Sequence, residues 1–354
     1  MDAIDAALVD FDIAPLRIIA TSATPFAPAL KRRLSALIEN AGSVALDEVG
    51  QIDVELGSAF AQAALELMRS AGVGAGHVTA IGSHGQTLRH RPDLAVPFSW
   101  QIGDPNTLAE MAGVTVVADF RRRDVAAGGQ GAPLLPVFHD QFLRSDSEDR
   151  VIANLGGMAN LTILTRDSSV TGFDTGPANR LLDAWISLHQ GQEFDAGGAW
   201  AASGRIDDTL LRELLDEPYL RLAPPKSTGR ELFNLPWLQS KLGLFSRQAR
   251  DVQATLQQFT AASLADAVRQ YAPGAALYVC GGGAHNVSLL KAIALLIAPN
   301  RVAGTDTLGL DPDYVEAVAF AWFAKRTLDG LASSAGSVTG AKGARILGGV
   351  YRYA

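Results

Sequence analysis

The stretch from residue 170 to residue 183 constrains the fold of this chain most strongly, because a strand, a carboxylate and a helix start follow one another. Residues 170–173 have the apolar pattern of a strand end, and Asp174 comes directly after them. A turn at residues 175–176 leads to Pro177, which suits the first position of a helix because its missing N–H would be unpaired there anyway. Apolar residues then recur at helical spacing. This order predicts an α/β fold with a carboxylate where a strand ends.

On this stretch alone, Asp174 has two interpretations of equal weight. In open α/β sheets ligands bind at the carboxyl ends of the strands, where a carboxylate can act as a base. Backbone N–H groups at a helix N-terminus can hold anionic oxygens close by. Asp is also a frequent helix cap, and in that case the carboxylate serves only the helix.

A second strand end presents polar side chains between glycines. Residues 78–86 are predicted to form a short strand that runs into a tip carrying His84 and Gln86. A lone histidine is more often structural than catalytic. The flanking Gly82 and Gly85 indicate close backbone approach, which favours a ligand contact at this tip.

Two further glycine clusters suit the approach of a phosphate. Gly156 and Gly157 join two apolar runs and predict a hairpin, whose turn is either a phosphate contact or a plain tight turn. Gly281, Gly282 and Gly283 follow a predicted strand and precede an apolar helix, which is a common geometry for contact with a nucleotide. The spacing matches neither the dinucleotide fingerprint nor the P-loop, since the required third glycine and the G-K-[ST] end are missing.

Composition excludes several classes of function. The net charge of −7 and the lack of a long basic block argue against nucleic acid as a partner, and no uncharged apolar run reaches about 18 residues, as a membrane span requires. Cys280 is the only cysteine, which precludes an internal disulfide and favours the cytoplasm. Neither a zinc-ligand cluster nor a G-x-S-x-G serine elbow occurs, so no metal-ligating residues are predicted.

Six motifs taken together resemble the anhydro-N-acetylmuramic acid kinase family, and the likeness runs in the family's order from Asp2 to the C-terminus. They are GSHGQT (82–87), DFRRRD (119–124), AGGQGAP (127–133), GFDTGP (172–177), PPKSTGRE (224–231) and CGGGAHN (280–286). The resemblance implies the two-lobed α/β fold of the actin, sugar-kinase and Hsp70 superfamily, with a nucleotide and sugar cleft between lobes. The expected lobes are residues 1–128 with 335–354, and residues 129–334.

The resemblance also implies an activity. Members of the family use ATP and Mg²⁺ to open the anhydro bond of anhydro-N-acetylmuramic acid and to phosphorylate the freed oxygen at carbon 6, in the recycling of cell-wall peptidoglycan and amino sugars. A cytoplasmic homodimer is expected. A nucleotide-gated interaction protein of the actin or Hsp70 type is a rival, but no long peptide-binding region follows Glu316.

Site residues are carried over from the family by position. Asp174 matches the catalytic aspartate, which would deprotonate the attacking water. The sugar and its lactyl carboxylate would be bound by His84, Gln86, Arg121 and Glu316. The nucleotide would be bound by Asp2, Gly156, Gly157, Gly281, Gly282 and Gly283.

One departure concerns the start of the chain. The family begins with a strand and a glycine-containing phosphate loop, of which Met1, Asp2 and Ala3 resemble only the last part. The strand at residues 4–11 is therefore expected to lack one pairing arm, and ATP binding and folding are expected to suffer. The alternative function is accordingly a sugar-binding protein of the kinase fold with impaired ATP turnover.

Overall fold

The computed structural model describes residues 3–14, 16–39, 43–243 and 247–353, and in these ranges it has twelve strands and thirteen α-helices. The strands are β1 Ala3–Asp10, β2 Arg17–Pro25, β3 Ile81–Gly82, β4 Gln86–Arg91, β5 Phe98–Ile102, β6 Val116–Ala118, β7 Arg150–Leu155, β8 Met158–Leu164, β9 Thr171–Pro177, β10 Ala276–Cys280, β11 Val302–Gly304 and β12 Gly349–Tyr351. The helices are α1 Pro28–Glu39, α2 Leu46–Ser70, α3 Pro105–Ala112, α4 Phe120–Ala126, α5 Leu135–Leu143, α6 Asn179–Gln190, α7 Ala199–Ser203, α8 Asp208–Leu215, α9 Leu235–Leu242, α10 Ala249–Tyr271, α11 Val287–Ile297, α12 Val315–Leu328 and α13 Gly336–Thr339.

The chain divides into two units, Met1–Phe138 with Glu316–Ala354 and His139–Val315. The division predicted from the sequence places the boundaries at 128/129 and 334/335 instead. The first unit gains α12 because the rings of Phe320 and Phe323 on that helix lie 5.3 and 5.9 Å from the ring of Phe120. Both units combine sheets with helices, and the predicted α/β class is confirmed.

The second unit is built on a five-stranded sheet in the order β11-β10-β7-β8-β9. β10 runs parallel to β7 and to β11, while β8 is antiparallel to both β7 and β9. The predicted hairpin across Gly156 and Gly157 is therefore confirmed as β7–β8, and the predicted strand before the triple glycine is β10. This order places the ends of β7 and β10 side by side, since Cys280 pairs with Asn154.

Helix α10 connects two hydrophobic clusters of the second unit, which explains why it is buried along most of its length. Its first half contributes Leu256 and Phe259 to a cluster with α6, α8 and α9. Its second half contributes Leu264 and Val268 to the cluster that covers the five-stranded sheet. Burial of apolar side chains in both clusters anchors this helix, and with it the sheet that carries Asp174.

The first unit contains a hairpin of β1 and β2, a second hairpin of β4 and β5, and a three-stranded sheet in the order β12-β6-β3. Helix α2 links two clusters here as well, through Ile52 and Leu56 in one and Ala61 and Met68 in the other. β1 pairs with β2 along its whole length, from Ala3 opposite Pro25 to Asp10 opposite Arg17. β2 therefore occupies one edge of this strand. The expected missing arm concerns the other edge and stays a prediction.

Candidate active site

Asp174 lies inside strand β9 and not at its end, which corrects the prediction from the sequence. β9 continues through Pro177, so Pro177 is the last residue of a strand and not the first of a helix. Helix α6 begins at Asn179 after the N-cap residue Ala178, and no side chain caps it. The interpretation of Asp174 as a helix cap is therefore wrong.

A β-bulge directly follows Asp174. Asn160 pairs with Asp174 and Ala159 pairs with Gly176, which leaves Thr175 as the extra residue on β9. Gly176 accommodates the bulge at φ +145°, a value that L side chains rarely adopt. Bulges bend a strand and change the direction of neighbouring side chains, and they are frequent beside active sites. The sequence does not indicate this bulge, because a Thr-Gly pair is equally typical of a turn between two elements.

The segment from Tyr219 to Thr228 holds Asp174 through three hydrogen bonds. The backbone N–H of Thr228 donates to carboxylate Oδ2 at 2.9 Å. The Asp174 N–H donates to the Lys226 carbonyl at 3.2 Å, and the Tyr219 hydroxyl donates to the Asp174 carbonyl at 2.8 Å. The half-buried carboxylate is thus fixed both through its own oxygen and through its backbone.

Sequence reasoning identified the PPKSTGRE loop as a family motif but assigned no role to its residues. The structure shows that this loop carries the N–H donor of Thr228 to the proposed base. Tyr219 was missed as well. Burial raises the pKa of its hydroxyl, and the nearby charges of Asp174 and Glu231 raise it further, so the phenol remains protonated and able to donate.

The Gly156–Gly157 turn is used by the protein to cap helix α6. The carbonyl of Gly157 accepts from the N–H groups of Ala178 and Arg180 at 3.0 and 3.1 Å, and the carbonyl of Gly156 accepts from Asn179 at 3.0 Å. The first N–H groups of α6 are thereby satisfied without a side-chain cap. A Cβ on either glycine would meet no protein atom closer than 3.8 Å, so the turn leaves room for a ligand.

The three glycines after β10 are not equivalent. A Cβ on Gly281 (φ +77°) would lie 2.4 Å from Asn154 Oδ1, and one on Gly283 would lie 2.5 Å from Leu155 Cβ, so tight packing against the end of β7 demands both glycines. A Cβ on the exposed Gly282 would meet no protein atom closer than 4.0 Å. Fold packing thus accounts for the first and third glycines, and Gly282 is the one with free space that a ligand can use.

In the first unit, the structure brings His84 and Arg121 into direct contact. Arg121 Nε donates to His84 Nε2 at 3.0 Å, and its Nη1 donates to the Gly131 carbonyl at 2.8 Å. Desolvation and the Arg121 charge hold the pKa of His84 well below its usual value, against the opposing effect of a hydrogen bond to the Gly85 backbone. His84 is therefore a neutral imidazole with its proton on Nδ1.

The glycines that flank His84 are explained by the protein itself. A Cβ on Gly82 would lie 2.0 Å from the Phe320 carbonyl of α12, and one on Gly85 would lie 2.7 Å from the Ile102 carbonyl. Close backbone approach was predicted correctly, but the approaching groups are neighbouring backbone carbonyls. The His84 ring also packs against the Phe320 ring, with 4.6 Å between centroids.

Glu316 and Gln86 lie near this pair. Glu316 lies in the first turn of α12, where its charge complements the helix dipole. Desolvation by the surrounding protein raises the pKa of Glu316, the Asp5 charge adds to this, and the Arg121 charge opposes it. Gln86 is half-buried at the start of β4, and its amide donates to the Thr87 carbonyl at a long distance of 3.4 Å.

Asp124 ends the DFRRRD motif, but the motif gave it no role. Its fully buried carboxylate accepts from the Gly131 N–H and from the Thr339 hydroxyl, both at 2.8 Å. Burial raises the pKa of Asp124. Because Gly131 also accepts the hydrogen bond from Arg121, Asp124 fixes the glycine-rich loop that orients the guanidinium. The predicted nucleotide residue Asp2 lies outside the described residues.

The described ranges show no group of three or more His, Cys, Asp or Glu side chains arranged to hold a metal ion. A metal site formed by protein side chains alone is therefore not seen in these ranges. Mg²⁺ in kinases is commonly bound by substrate phosphates together with one or two carboxylates. Within the same ranges, no helix combines the length and apolarity that crossing a membrane requires.

Comparison with known proteins agrees with the geometry. The family model for anhydro-N-acetylmuramic acid kinase matches residues 1–353. The chain belongs to this family. It is 51% identical to the anhydro-N-acetylmuramic acid kinase of Xanthomonas axonopodis pv. citri (99% of this chain, 95% of the relative) and 50% identical to that of Coxiella burnetii (99% and 94%).

The family resemblance predicted from the six motifs is therefore confirmed, and with it the two-lobed α/β sugar-kinase class. Among solved structures, the chain is similar to a ROK family glucokinase from Streptomyces griseus in complex with glucose and AMPPNP. That likeness has 15% identity and a TM-score of 0.36, and it covers 88% of this chain and 93% of the glucokinase. At this level the likeness carries no information on function.

Proposed function

We propose that this member of the anhydro-N-acetylmuramic acid kinase family uses ATP to open anhydro-N-acetylmuramic acid and to phosphorylate the freed oxygen at carbon 6. The family match over residues 1–353 carries this conclusion, because it spans all six motifs. The rigidly held carboxylate of Asp174 supports it, since the reaction needs a base in a fixed position. The enzyme is a phosphotransferase with an alcohol group as acceptor.

Asp174 acts as the general base in this proposal. A water molecule gives a proton to the Asp174 carboxylate while its oxygen forms a bond to the anomeric carbon. The bond between that carbon and the bridging oxygen breaks, and the bridging oxygen, which stays on carbon 6, forms a bond to the γ-phosphorus of ATP. ADP leaves with the electron pair of the broken phosphoanhydride bond. The oxygen at carbon 6 is tied up in the bridge, so its phosphorylation requires the opening step.

The sugar is bound by His84, Gln86, Arg121 and Glu316 of the first unit in this proposal. The planar guanidinium of Arg121 matches the forked acceptor pattern of a lactyl carboxylate. Its contacts to His84 and Gly131 fix its orientation before the ligand arrives. Because His84 is neutral, it adds no second positive charge and leaves the guanidinium as the main anion-binding group.

The nucleotide is bound by the glycine loops of the second unit in this proposal, with Gly156, Gly157 and Gly282 next to the phosphates. A Cβ on any of these three glycines would meet no protein atom closer than 3.8 Å, and this free space supports the assignment. Asp2, Gly281 and Gly283 complete the proposed nucleotide set. Mg²⁺ would neutralise phosphate charge, held mainly by the phosphates of the nucleotide, because the described residues hold no group of three or more metal-ligating side chains.

The proposed setting is peptidoglycan recycling and amino sugar catabolism in the cytoplasm, by a homodimer that needs neither nucleic acid nor a membrane.

The decisive experiment incubates the purified chain with anhydro-N-acetylmuramic acid, ATP and Mg²⁺ and follows ADP release. Mass spectrometry and ³¹P NMR should identify a product that gained both water and a phosphate ester at carbon 6. ADP release without opened, phosphorylated sugar would contradict the proposal. Wild type and Asp174→Asn should differ in this assay while both bind the sugar.

A further inference from the structure

Lys226 is buried although it lies in a polar loop. Only 7% of its surface is exposed. Its ammonium group donates to the carbonyls of Leu220 and Tyr219 at 3.0 and 3.4 Å. It also lies over the faces of the Tyr219 and Phe173 rings, at 4.9 and 5.7 Å from their centroids. Carbonyl dipoles and ring faces thus stabilise a charge that would otherwise be costly to bury.

The partners of Lys226 are also the neighbours of Asp174. Phe173 precedes Asp174 in β9, and Tyr219 donates its hydroxyl hydrogen to the Asp174 carbonyl. The Lys226 carbonyl accepts the Asp174 N–H. The hydrogen bonds therefore form a closed circuit from Asp174 to Lys226, from the Lys226 ammonium to Tyr219, and from Tyr219 back to Asp174.

Two residues beyond Lys226 lies Thr228, whose N–H donates to the Asp174 carboxylate. The position of that N–H depends on how the loop lies against β9, which the bond from the Asp174 N–H to the Lys226 carbonyl sets. The Lys226 ammonium in turn joins the loop to residues 219–220. Desolvation lowers the pKa of Lys226, while the Asp174 charge acts in the opposite direction. The negative charge of Asp174 and the buried ammonium thus favour each other in their charged forms.

We propose that Lys226 is a positioning residue for the reaction, which fixes the Thr228 N–H against the Asp174 carboxylate by joining residues 219–220 to the PPKSTGRE loop. The inference rests on the proposed function, because it assigns Lys226 an effect through the base Asp174. A lysine that only supports the loop would change stability or ligand binding. A positioning lysine changes the chemical step.

The test compares Lys226→Met, which keeps an unbranched apolar side chain but removes the ammonium, with Lys226→Arg, which keeps a charge and can donate to both carbonyls. The matched control is Lys241→Met. Lys241 also places its ammonium over an aromatic ring of the second unit, 5.5 Å from the Trp237 centroid, and its partner is Glu217. For each variant, kcat, the KM for sugar and for ATP, and the melting temperature are measured on the full chain.

Lys226→Met should lower kcat about 10- to 100-fold with both KM values within about threefold of wild type, since a displacement of about 1 Å in a catalytic group can cost about 100-fold. Lys226→Arg should recover part of the lost kcat, and Lys241→Met should match wild type. Wild-type kcat in Lys226→Met, or a loss that appears in KM, would overturn the inference.

A double variant separates this inference from the proposed function. If Lys226 acts through Asp174, the residual rate of Asp174→Asn, measured in single turnover with enzyme in excess, should not fall further when Lys226→Met is added. Full activity of Asp174→Asn would overturn the role of Asp174 itself. An inactive Asp174→Asn beside a fully active Lys226→Met would overturn the role of Lys226 alone. If Lys226→Met melts well below wild type, the same kcat and KM criterion is applied at a temperature at which both proteins are fully folded.

Discussion

The backbone N–H of Thr228 lies 2.9 Å from Oδ2 of Asp174, although 54 positions separate the two residues in the chain. A hydrogen bond to an ionised carboxylate favours the charged form, which is the form that a general base needs. It also restricts rotation of the carboxylate. The relationship explains why a loop that is rich in prolines and small polar residues sits against the middle of a strand.

Asp174→Asn should abolish turnover while the fold is preserved. The amide oxygen can still accept the Thr228 N–H, but an amide cannot take the proton of the attacking water, so kcat should fall by at least about 100-fold. ADP release measures the loss, and a thermal melt checks the fold. Asp140→Asn is the control, since Asp140 is a carboxylate of the same unit that pairs with Arg144. Near-normal ADP release by the Asn variant would refute the assignment.

Thr228→Pro should lower kcat, because proline has no N–H to donate to the carboxylate. Hydrogen bonds to charged groups contribute about 1.5–3 kcal/mol, which corresponds to a loss of roughly 10- to 100-fold. Thr228→Ala keeps the backbone donor and should retain most of the activity. Steady-state kinetics of both variants, with melting curves alongside, test the difference. Equal kcat values in the two variants would show that the backbone donor has no part in catalysis.

Arg121→Ala and Glu316→Ala should weaken the affinity for the sugar more than the affinity for ATP. Losing a charge-assisted hydrogen bond costs about 1.5–3 kcal/mol, so the Kd for sugar should rise roughly 10- to 100-fold. Calorimetry with each ligand separately measures both constants. Arg123→Ala removes an exposed cation from the same helix, α4, and serves as the control. Parallel losses for both ligands would indicate a folding defect.

Gly282→Ala should weaken ATP binding without destabilising the protein. No protein atom lies closer than 4.0 Å to the added methyl group, so only a ligand could clash with it. Gly281→Ala should instead lower the melting temperature, because its Cβ would lie 2.4 Å from Asn154 Oδ1 at a φ of +77°. Nucleotide titration measures the ATP affinity of both variants, and melting curves measure their stability. Unchanged ATP affinity in Gly282→Ala would place the nucleotide elsewhere.

Acid should destabilise the second unit through His139. Burial lowers the pKa of His139 from 6.5 to about 3, and its Nδ1 lies 2.8 Å from the Thr162 hydroxyl. Between these two values the unfolded chain binds a proton that the folded chain does not, so the free energy of unfolding falls as the pH falls. The slope approaches about 1.4 kcal/mol per pH unit for one histidine. Urea unfolding above and below the unfolded-state pKa should show a shallower decline for His139→Gln, and identical slopes would contradict the prediction.

The local pattern of the sequence was sufficient for several of the regular elements. Asp104 before Pro105 is the local pattern of a capped helix start, and the Asp104 carboxylate accepts from the Asn106 and Thr107 N–H groups of α3. The two-glycine turn predicted the β7–β8 hairpin, and the alternation of strands, glycine loops and helices predicted the α/β class. These features depend on residues within a few positions of one another, where capping, turn and periodicity rules apply.

Only the tertiary structure decided how the candidate site is built. β9 continues past Asp174 because β8 pairs with it through Pro177, which no local signal in GFDTGP expresses. Tyr219 and Thr228 reach Asp174 across 45 and 54 positions, and Arg121 reaches His84 across 37. Local propensity acts over a few residues, whereas these contacts arise from the packing of whole elements around buried cores. The sequence by itself therefore determined the family, the elements and the identity of the proposed base, and the packing determined which groups hold that base in place.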